Sequence, residues 1–245
     1  MKVNVSKTKF IVINGKDEDK RDLVIDGMSV KRCAQYTYLG SPFADGGSTS
    51  DSIKINATSR MCQALKFVSF CQKNNDIPFC VKKKVFDAAV MSSFLYGCES
   101  WLEGNIKPME NLYNMCIKHL LGVRKNTNND LCMVELGCPP LKALVKQKQA
   151  KFFKSMRTDR ENMADDPLNL MLSLTIDSNI STGKYIKSII ETEIDYECEA
   201  LNQVIQRVNN SESSKCIYYK TINPDMKVHG VYNSKSKLNE IERLS

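Results

Sequence analysis

A pair of carboxylates on a turn between two strands can hold divalent metal ions that activate a hydroxyl. Phe43-Ala44-Asp45 comes nearest to such a turn, but it provides one aspartate, with Pro42 before it and two glycines after it. Asp165-Asp166 stands before a proline in a helical region, where a helix cap is the better interpretation. The sequence therefore predicts a glycine-rich turn after Pro42 and no two-metal site built from this chain's own residues.

Cysteine and histidine give no metal-site pattern either. Ten cysteines are present, none spaced as Cys-x-x-Cys, and the two histidines are His119 and His229. A zinc site needs such ligands clustered at short spacing, so we expect no metal and no cofactor in this chain. Most cysteines have apolar neighbours, which predicts reduced thiols packed in a core. Examples are Cys62, Cys71, Cys98 and Cys116.

Positive charge is concentrated in the first two thirds of the chain. Residues 1–160 hold 26 Lys and Arg against 15 Asp and Glu, whereas the remaining residues hold 9 against 13. A basic body is compatible with nucleic-acid binding, and it also occurs in ordinary soluble proteins. No apolar run approaches the roughly 20 residues of a membrane span, and no signal peptide is recognisable. An intracellular protein, nuclear or cytoplasmic, with no membrane partner is expected.

Short β segments are predicted at the start of the chain. Residues 8–14 are rich in β-branched and aromatic side chains, residues 23–25 and 28–30 flank a tight Asp-Gly turn, and residues 36–39 stop at Gly40. Together they predict a small antiparallel sheet of three or four strands that needs another surface to pack against. Residues 41–50 are predicted to be a linker.

Helices are predicted for most of the remaining chain, which gives an α+β fold that is mostly α-helical. They are expected from Ser50 to about residue 75, from Pro78 to about Tyr96, before a C-cap at Gly122, up to Gly137, and from residue 141 to about Arg157. A short helix over 167–174 and an amphipathic helix over 183–207 follow, and residues 211–245 are predicted to be loosely ordered.

Two of these helices have a clear apolar stripe. In the first helix, Lys66 and Lys73 lie opposite the stripe, whose residues are Ala57, Met61, Ala64, Leu65, Val68 and Cys71. In the third helix, His119 lies at the edge of the stripe and is expected to be partly buried. The residues of that stripe are Met109, Leu112, Tyr113, Cys116, Ile117 and Leu120.

Lysines also flank the stripe of the helix that begins at residue 141. Lys142 and Lys146 lie on one flank, and Lys151 and Lys154 lie on the other. Lys148 falls inside the stripe formed by Leu141, Leu144, Val145, Phe152 and Met156. This face either meets a polyanion or lets the lysine stem cross the edge of a core, and a solvated face is the simpler interpretation.

Three short motifs occur in a fixed order along the chain. Lys7-Thr8-Lys9 is followed by Tyr36-Thr37-Tyr38-Leu39-Gly40 and then by Leu95-Tyr96-Gly97-Cys98-Glu99-Ser100-Trp101. In this order they resemble the reverse transcriptases of non-LTR (LINE-type) retrotransposons, over about residues 1–160. The resemblance implies the end of a polymerase palm at residues 1–48, a thumb-like helical domain at 49–160 and a C-terminal extension at 161–245.

The resemblance also implies roles for individual residues. Lys7 and Lys9 correspond to motif D, which lies near the phosphates of the incoming nucleotide, and Lys7 matches best because Asn4 precedes it. Tyr36, Tyr38, Leu39 and Gly40 correspond to the primer grip. Four residues correspond to the structural signature at the end of the second thumb helix: Tyr96, Gly97, Glu99 and Trp101. The lysines expected to contact the nucleic-acid backbone are Lys66, Lys73, Lys142, Lys146, Lys151 and Lys154.

The function implied is that of a truncated fragment of an RNA-directed DNA polymerase that contacts an RNA–DNA primer–template. The catalytic aspartates, and with them the Mg²⁺ of the full-length enzyme, are expected to lie in N-terminal polymerase domains outside this chain, so the isolated chain is predicted to be inactive. Two alternatives stay open. The chain could be a helical protein–protein interaction module, or an inert transposon-derived remnant.

Overall fold

The computed structural model describes residues 8–25, 27–158, 167–178, 180–228 and 230–233 of the 245. It is an α+β protein in which helices make up 64% and strands 9%, so helices rather than sheets build the core. This confirms the predicted fold class. No helix in the described part is both long enough and apolar enough to cross a membrane.

Five short strands precede the helices. They are β1 (Lys9–Phe10), β2 (Leu23–Ile25), β3 (Met28–Arg32), β4 (Gln35–Tyr38) and β5 (Ser41–Ala44). They form two separate sheets, a three-stranded one in the order β1-β3-β2 and a two-stranded one of β4 and β5. A backbone hydrogen bond from the Asn14 amide to the Asp45 carbonyl, at 2.8 Å, links the segment after β1 to the residue that follows β5.

The sheet differs from the sequence prediction in three respects. The antiparallel pairings of β2 with β3 and of β4 with β5 occur, but β1 pairs with β3 in parallel. β1 has two residues instead of the seven predicted, since the chain after Phe10 turns towards Asp45. The predicted linker at 41–50 contains β5, because a two-residue turn folds it back on β4.

Ten α-helices follow in the described part. They are α1 (Thr49–Lys73), α2 (Phe79–Val85), α3 (Ser92–Phe94), α4 (Lys107–Leu121), α5 (Asn129–Leu136), α6 (Leu141–Thr158), α7 (Pro167–Asp177), α8 (Ser181–Glu191), α9 (Tyr196–Asn210) and α10 (Ser214–Ile222). A π-helical segment, Phe86–Met91, joins α2 to α3 without a break. Short 3-10 turns cover Asp17–Lys20, Cys98–Ser100 and Gly230–Asn233.

The helix ends follow the capping residues of the sequence. The Ser48 hydroxyl accepts a hydrogen bond from the Asp51 amide at the start of α1, and the Asn128 side chain accepts one from the Asp130 amide at the start of α5. Gly122 and Gly137 end α4 and α5 in the left-handed conformation, with φ of 71° and 60°. The ends at Gly122 and Gly137 confirm the helix ends predicted there.

Helix α4 lies at the centre of the main core. All six residues of its predicted stripe are buried: Met109, Leu112, Tyr113, Cys116, Ile117 and Leu120. They pack with residues of α1, α2, α5 and α6 and with Trp101, which is 4% exposed. Val204 and Val208 of α9, Cys216 of α10 and Met226 belong to the same core.

Three predictions for the helices were wrong. Met61 and Leu65 of the α1 stripe are 42% and 51% exposed, because α4 covers a narrower face of α1 than the stripe offers. The helix predicted over 183–207 is two helices, since the Asp195 carboxylate caps α9 by accepting from the Glu197 and Cys198 amides. Residues 214–222 form α10 and bury Cys216, although 211–245 were predicted to be loosely ordered. Residues 234–245 lie outside the described residues.

A prediction follows from the contact between α7 and α8. Gly183 of α8 approaches α7 so closely that a β-carbon there would lie 2.0 Å from the Thr175 carbonyl oxygen. Alanine inside a helix normally stabilises a protein by up to about 1 kcal/mol relative to glycine. Gly183→Ala should instead lower the free energy of unfolding by about 1–3 kcal/mol, as overpacking does. Urea unfolding of the two proteins measures the sign, and a stabilised variant would show that α7 does not pack there.

Candidate nucleic-acid interface

A β-hairpin carries the residues of the predicted primer grip. β4 and β5 pair from Gln35–Ala44 to Tyr38–Ser41, so Leu39 and Gly40 form a two-residue turn. Both have positive φ, 47° and 83°, which is typical of the type I′ turn that matches the twist of a hairpin. A leucine is unusual at such a position, and its side chain is 74% exposed.

The hairpin turn rests on the chain corner that follows α3. The Tyr96 hydroxyl donates a hydrogen bond of 2.7 Å to the Leu39 carbonyl, and a β-carbon on Gly40 would lie 3.0 Å from the Tyr96 ring. Gly97, with φ of 70°, turns the chain, and a β-carbon there would lie 2.8 Å from the Ser41 hydroxyl. The fold therefore brings together two of the three motifs, which are 57 residues apart at Leu39 and Tyr96.

An open groove of about 470 Å³ lies between the hairpin and this corner. Residues of both motifs line it, together with neighbouring residues of β5 and α3 and one side chain from α6. Tyr38 and Phe43 are 61% and 41% exposed, so their aromatic side chains are accessible for stacking against flat ligands. The lining residues are Tyr38, Leu39, Ser41, Phe43, Ser92, Leu95, Tyr96, Gly97, Glu99 and Lys148.

Two opposite charges stand at the groove. The Lys148 ammonium lies 3.9 Å from a Glu99 carboxylate oxygen, and the two side chains are 46% and 29% exposed. Such a partly solvated pair contributes little to stability, so an anionic ligand could displace the carboxylate at small cost. Lys151, also exposed, lies three residues further along α6 and therefore on nearly the same face.

A buried glutamine holds the corner against α6, and the sequence interpretation did not anticipate it. Gln149 is 1% exposed; its amide nitrogen donates to the Cys98 carbonyl at 3.1 Å, and its amide oxygen accepts from the Tyr185 hydroxyl at 2.8 Å. Burial raises the pKa of Tyr185 to about 12, so this hydroxyl remains a donor throughout the physiological range.

The buried face of α6 is rotated from the predicted stripe. Lys148 and Phe152 were placed in the stripe, yet both are exposed. The rotation has a physical reason: partners on two other elements satisfy the amide of Gln149, so this polar residue can occupy the buried face. The residues that α6 buries are Leu141, Ala143, Val145, Gln149, Ala150 and Phe153.

The other lysines predicted to contact nucleic acid do not converge on the groove. Lys66 and Lys73 are exposed on α1, and Lys142 is exposed near the start of α6. Lys146 lies over the Tyr196 ring, 4.3 Å from its centroid, and Lys154 donates to the Thr192 carbonyl at 2.7 Å. The last two lysines therefore help to hold the segment before α9 and the start of α9 against α6.

The segment predicted to correspond to motif D is described only in part. Lys7 and Asn4 lie outside the described residues, and Lys9 is exposed on β1, paired with Lys31 of β3. Tyr36 is 41% exposed on the hairpin.

Asp45 does not fit a Mg²⁺ site. Its carboxylate accepts from the Arg32 guanidinium at 2.5 Å, which neutralises the charge a metal would need. The turn predicted at this point is partly strand, since Phe43 and Ala44 belong to β5. Among the described residues, no three His, Cys, Asp or Glu side chains form a group that could hold a metal ion.

The cysteines of the described chain are all unpaired thiols, and most are packed in the core. Burial raises the pKa of Cys98 and Cys116 to about 12 and that of Cys71 and Cys132 to about 11. Cys62 was predicted to be a core thiol, but it is exposed on the uncovered side of α1. His119 is half-buried, and His229 lies outside the described residues.

Comparison of the chain with protein-family models, with curated proteins and with solved structures found no match in any of the three.

Thiol reactivity tests the core. A thiol with a raised pKa stays protonated at pH 8 and does not attack an alkylating reagent, since the thiolate is the nucleophile. Iodoacetamide should therefore modify the exposed Cys62 and Cys198 in the native protein and spare Cys98 and Cys116 until urea is added. Peptide mass spectrometry measures this, and native modification of Cys98 as fast as of Cys62 would contradict the packing.

Removal of one hydroxyl tests the contact between the hairpin and the corner. Tyr96→Phe deletes the donor to the Leu39 carbonyl. The loss of one hydrogen bond, worth about 0.5–1.5 kcal/mol, should speed amide exchange in β4 and β5 by about 2- to 12-fold. Hydrogen-exchange mass spectrometry measures it. Tyr218→Phe, at a tyrosine that is 69% exposed, is the matched control and should change nothing.

Proposed function

We propose that the chain is a nucleic-acid-binding fragment of a non-LTR retrotransposon reverse transcriptase, comprising the end of the palm and the thumb. One observation carries the proposal. The hairpin turn and the Tyr96–Gly97 corner, which hold two of the three motifs of the resemblance, are in direct contact through the 2.7 Å hydrogen bond from Tyr96 to Leu39.

In this proposal the groove holds one strand end of a primer–template. Tyr38 and Phe43 offer exposed ring faces on which bases can stack, a contact that tolerates any sequence. Lys148 offers a cation to a backbone phosphate once it leaves Glu99, and Lys151 extends the positive face along α6. Phosphate contacts of this kind position a strand without reading its sequence.

The proposed function is binding and not catalysis. Asp45 is engaged with Arg32 and does not fit a two-metal site. We therefore expect the isolated chain to bind primer–template without extending it.

Binding to a labelled RNA–DNA hybrid across a salt series tests the proposal. Each phosphate contact makes the logarithm of the binding constant fall with the logarithm of salt by roughly 0.7–0.9 per contact. A Lys148→Glu/Lys151→Glu variant should bind more weakly and lose about 1.4–1.8 units of that slope, which corresponds to two phosphate contacts. The change leaves the core intact, since both side chains are exposed.

The matched control places the same charge change on the far part of the chain. Lys184 of α8 and Lys215 of α10 are exposed and lie outside the groove lining. Lys184→Glu/Lys215→Glu should keep the affinity and slope of the wild-type chain apart from a small general effect. Two results would refute the proposed interface: a folded, monodisperse sample that does not bind the hybrid at low salt, or an equal loss of affinity in the two double variants.

A second candidate, a helical protein–protein interaction module, is favoured by α7. Four of its large apolar side chains are 47–63% exposed, while Leu172 is buried. The exposed residues are Leu168, Leu170, Met171 and Leu174. Several large apolar side chains exposed on one helix are typical of a binding face. Because apolar contacts depend little on salt, the salt series separates this candidate from nucleic-acid binding.

A further inference from the structure

A second concave site lies on another side of α6, facing α9. It encloses about 330 Å³, at the small end of the roughly 300–1,000 Å³ common for small-ligand sites. Lys146, on this side, is two residues from Lys148 and so nearly opposite it around the helix. The lining residues are Pro140, Lys142, Ala143, Lys146, Tyr196, Glu199, Ala200, Gln203 and Arg207.

Cations outnumber acids in this lining. Lys142, Lys146 and Arg207 contribute three positive charges, whereas Glu199 contributes one negative charge. Among the described side chains, no carboxylate lies within ion-pair distance of Lys142 or Lys146. Like charges four residues apart on one helix repel each other. An anion between them would remove that repulsion.

Two of the three cations are held in place before any ligand arrives. The Lys146 ammonium lies over the Tyr196 ring, and the Tyr196 amide donates to the Gln147 side chain at 3.0 Å. The Arg207 guanidinium makes two hydrogen bonds to Asp130, of 2.9 and 3.1 Å, through Nε and Nη2. Within the described part of the chain, its Nη1 makes no hydrogen bond. Groups that are already ordered lose less entropy when a ligand binds, which favours affinity.

We propose that this site binds a phosphomonoester, the terminal phosphate of a small organic molecule. The phosphate dianion contacts Lys142, Lys146 and the free edge of Arg207, all of which present N–H donors suited to phosphate oxygens. The organic part lies against the apolar floor of Pro140, Ala143 and Ala200. This site is separate from the groove at the hairpin. The phosphate-binding proposal does not depend on the nucleic-acid-binding function proposed for that groove.

Calorimetric titration of the full chain tests the proposal with three probes: uridine 5′-monophosphate, inorganic phosphate and uridine. The monophosphate should bind more tightly than inorganic phosphate, because it also uses the apolar floor, and uridine should not bind measurably. The Lys142→Gln/Lys146→Gln variant should bind the monophosphate at least about tenfold more weakly, because hydrogen bonds to charged groups are among the stronger ones.

Two further variants keep the result interpretable. Lys142→Gln alone changes an exposed side chain and should fold normally, with a smaller loss of affinity than the double variant. Lys148→Gln/Lys151→Gln changes the groove and should leave monophosphate binding unchanged. Three results would overturn the proposal. The Lys142 and Lys146 variants could retain wild-type affinity for the monophosphate, uridine could bind as tightly as the monophosphate, or no probe could give heat at millimolar concentration. A loss of hybrid binding in the groove variant alone concerns the proposed function and not this site.

Discussion

Burial of α4 is the interaction on which the other helices depend. Its stripe from Met109 to Leu120 fills the space between α1, α5, α6 and the α2–α3 run, and Tyr113, near the middle of the helix, donates to the Pro139 carbonyl at 2.9 Å. Removing one such buried side chain typically costs about 2–5 kcal/mol, a large share of the stability of a domain. The hairpin and the groove are peripheral by comparison. They are positioned by the corner at Tyr96–Gly97, which the core holds from beneath through Cys98 and Trp101.

Helices whose apolar residues all face one large core could be predicted from the sequence. The α4 stripe and the caps at Gly122 and Gly137 have local causes, so periodicity and turn chemistry were sufficient. The predicted burial of the α1 stripe was wrong at Met61 and Leu65, because burial there depends on how much of α1 its partner helix covers. The break before α9 had a local signal, the capping residue Asp195, but continuous amphipathicity on both sides of it obscured that signal.

The candidate site was predictable in its parts and not in its assembly. The hairpin residues and the Tyr96–Gly97 corner could be named from their motifs, whereas their contact depends on tertiary packing over 57 residues. Lys148 was placed in the apolar stripe because Leu144, Val145 and Phe152 lie three or four residues from it along the helix. Gln149 takes the buried position instead, and it can do so because the Cys98 carbonyl and the Tyr185 hydroxyl, both distant in sequence, satisfy its amide.

The π-helical segment between α2 and α3 has a consequence for how this chain tolerates changes in length. A π turn contains one more residue than an α turn, so it takes up an inserted residue without turning the helix on either side of it. Phe86 and Val90 therefore both remain in the core, and the corner after Phe94 still meets the hairpin. Losing one residue between 86 and 91 would convert the segment to ordinary α-helix. The same loss within α4 would rotate half of its stripe by about 100° out of the core.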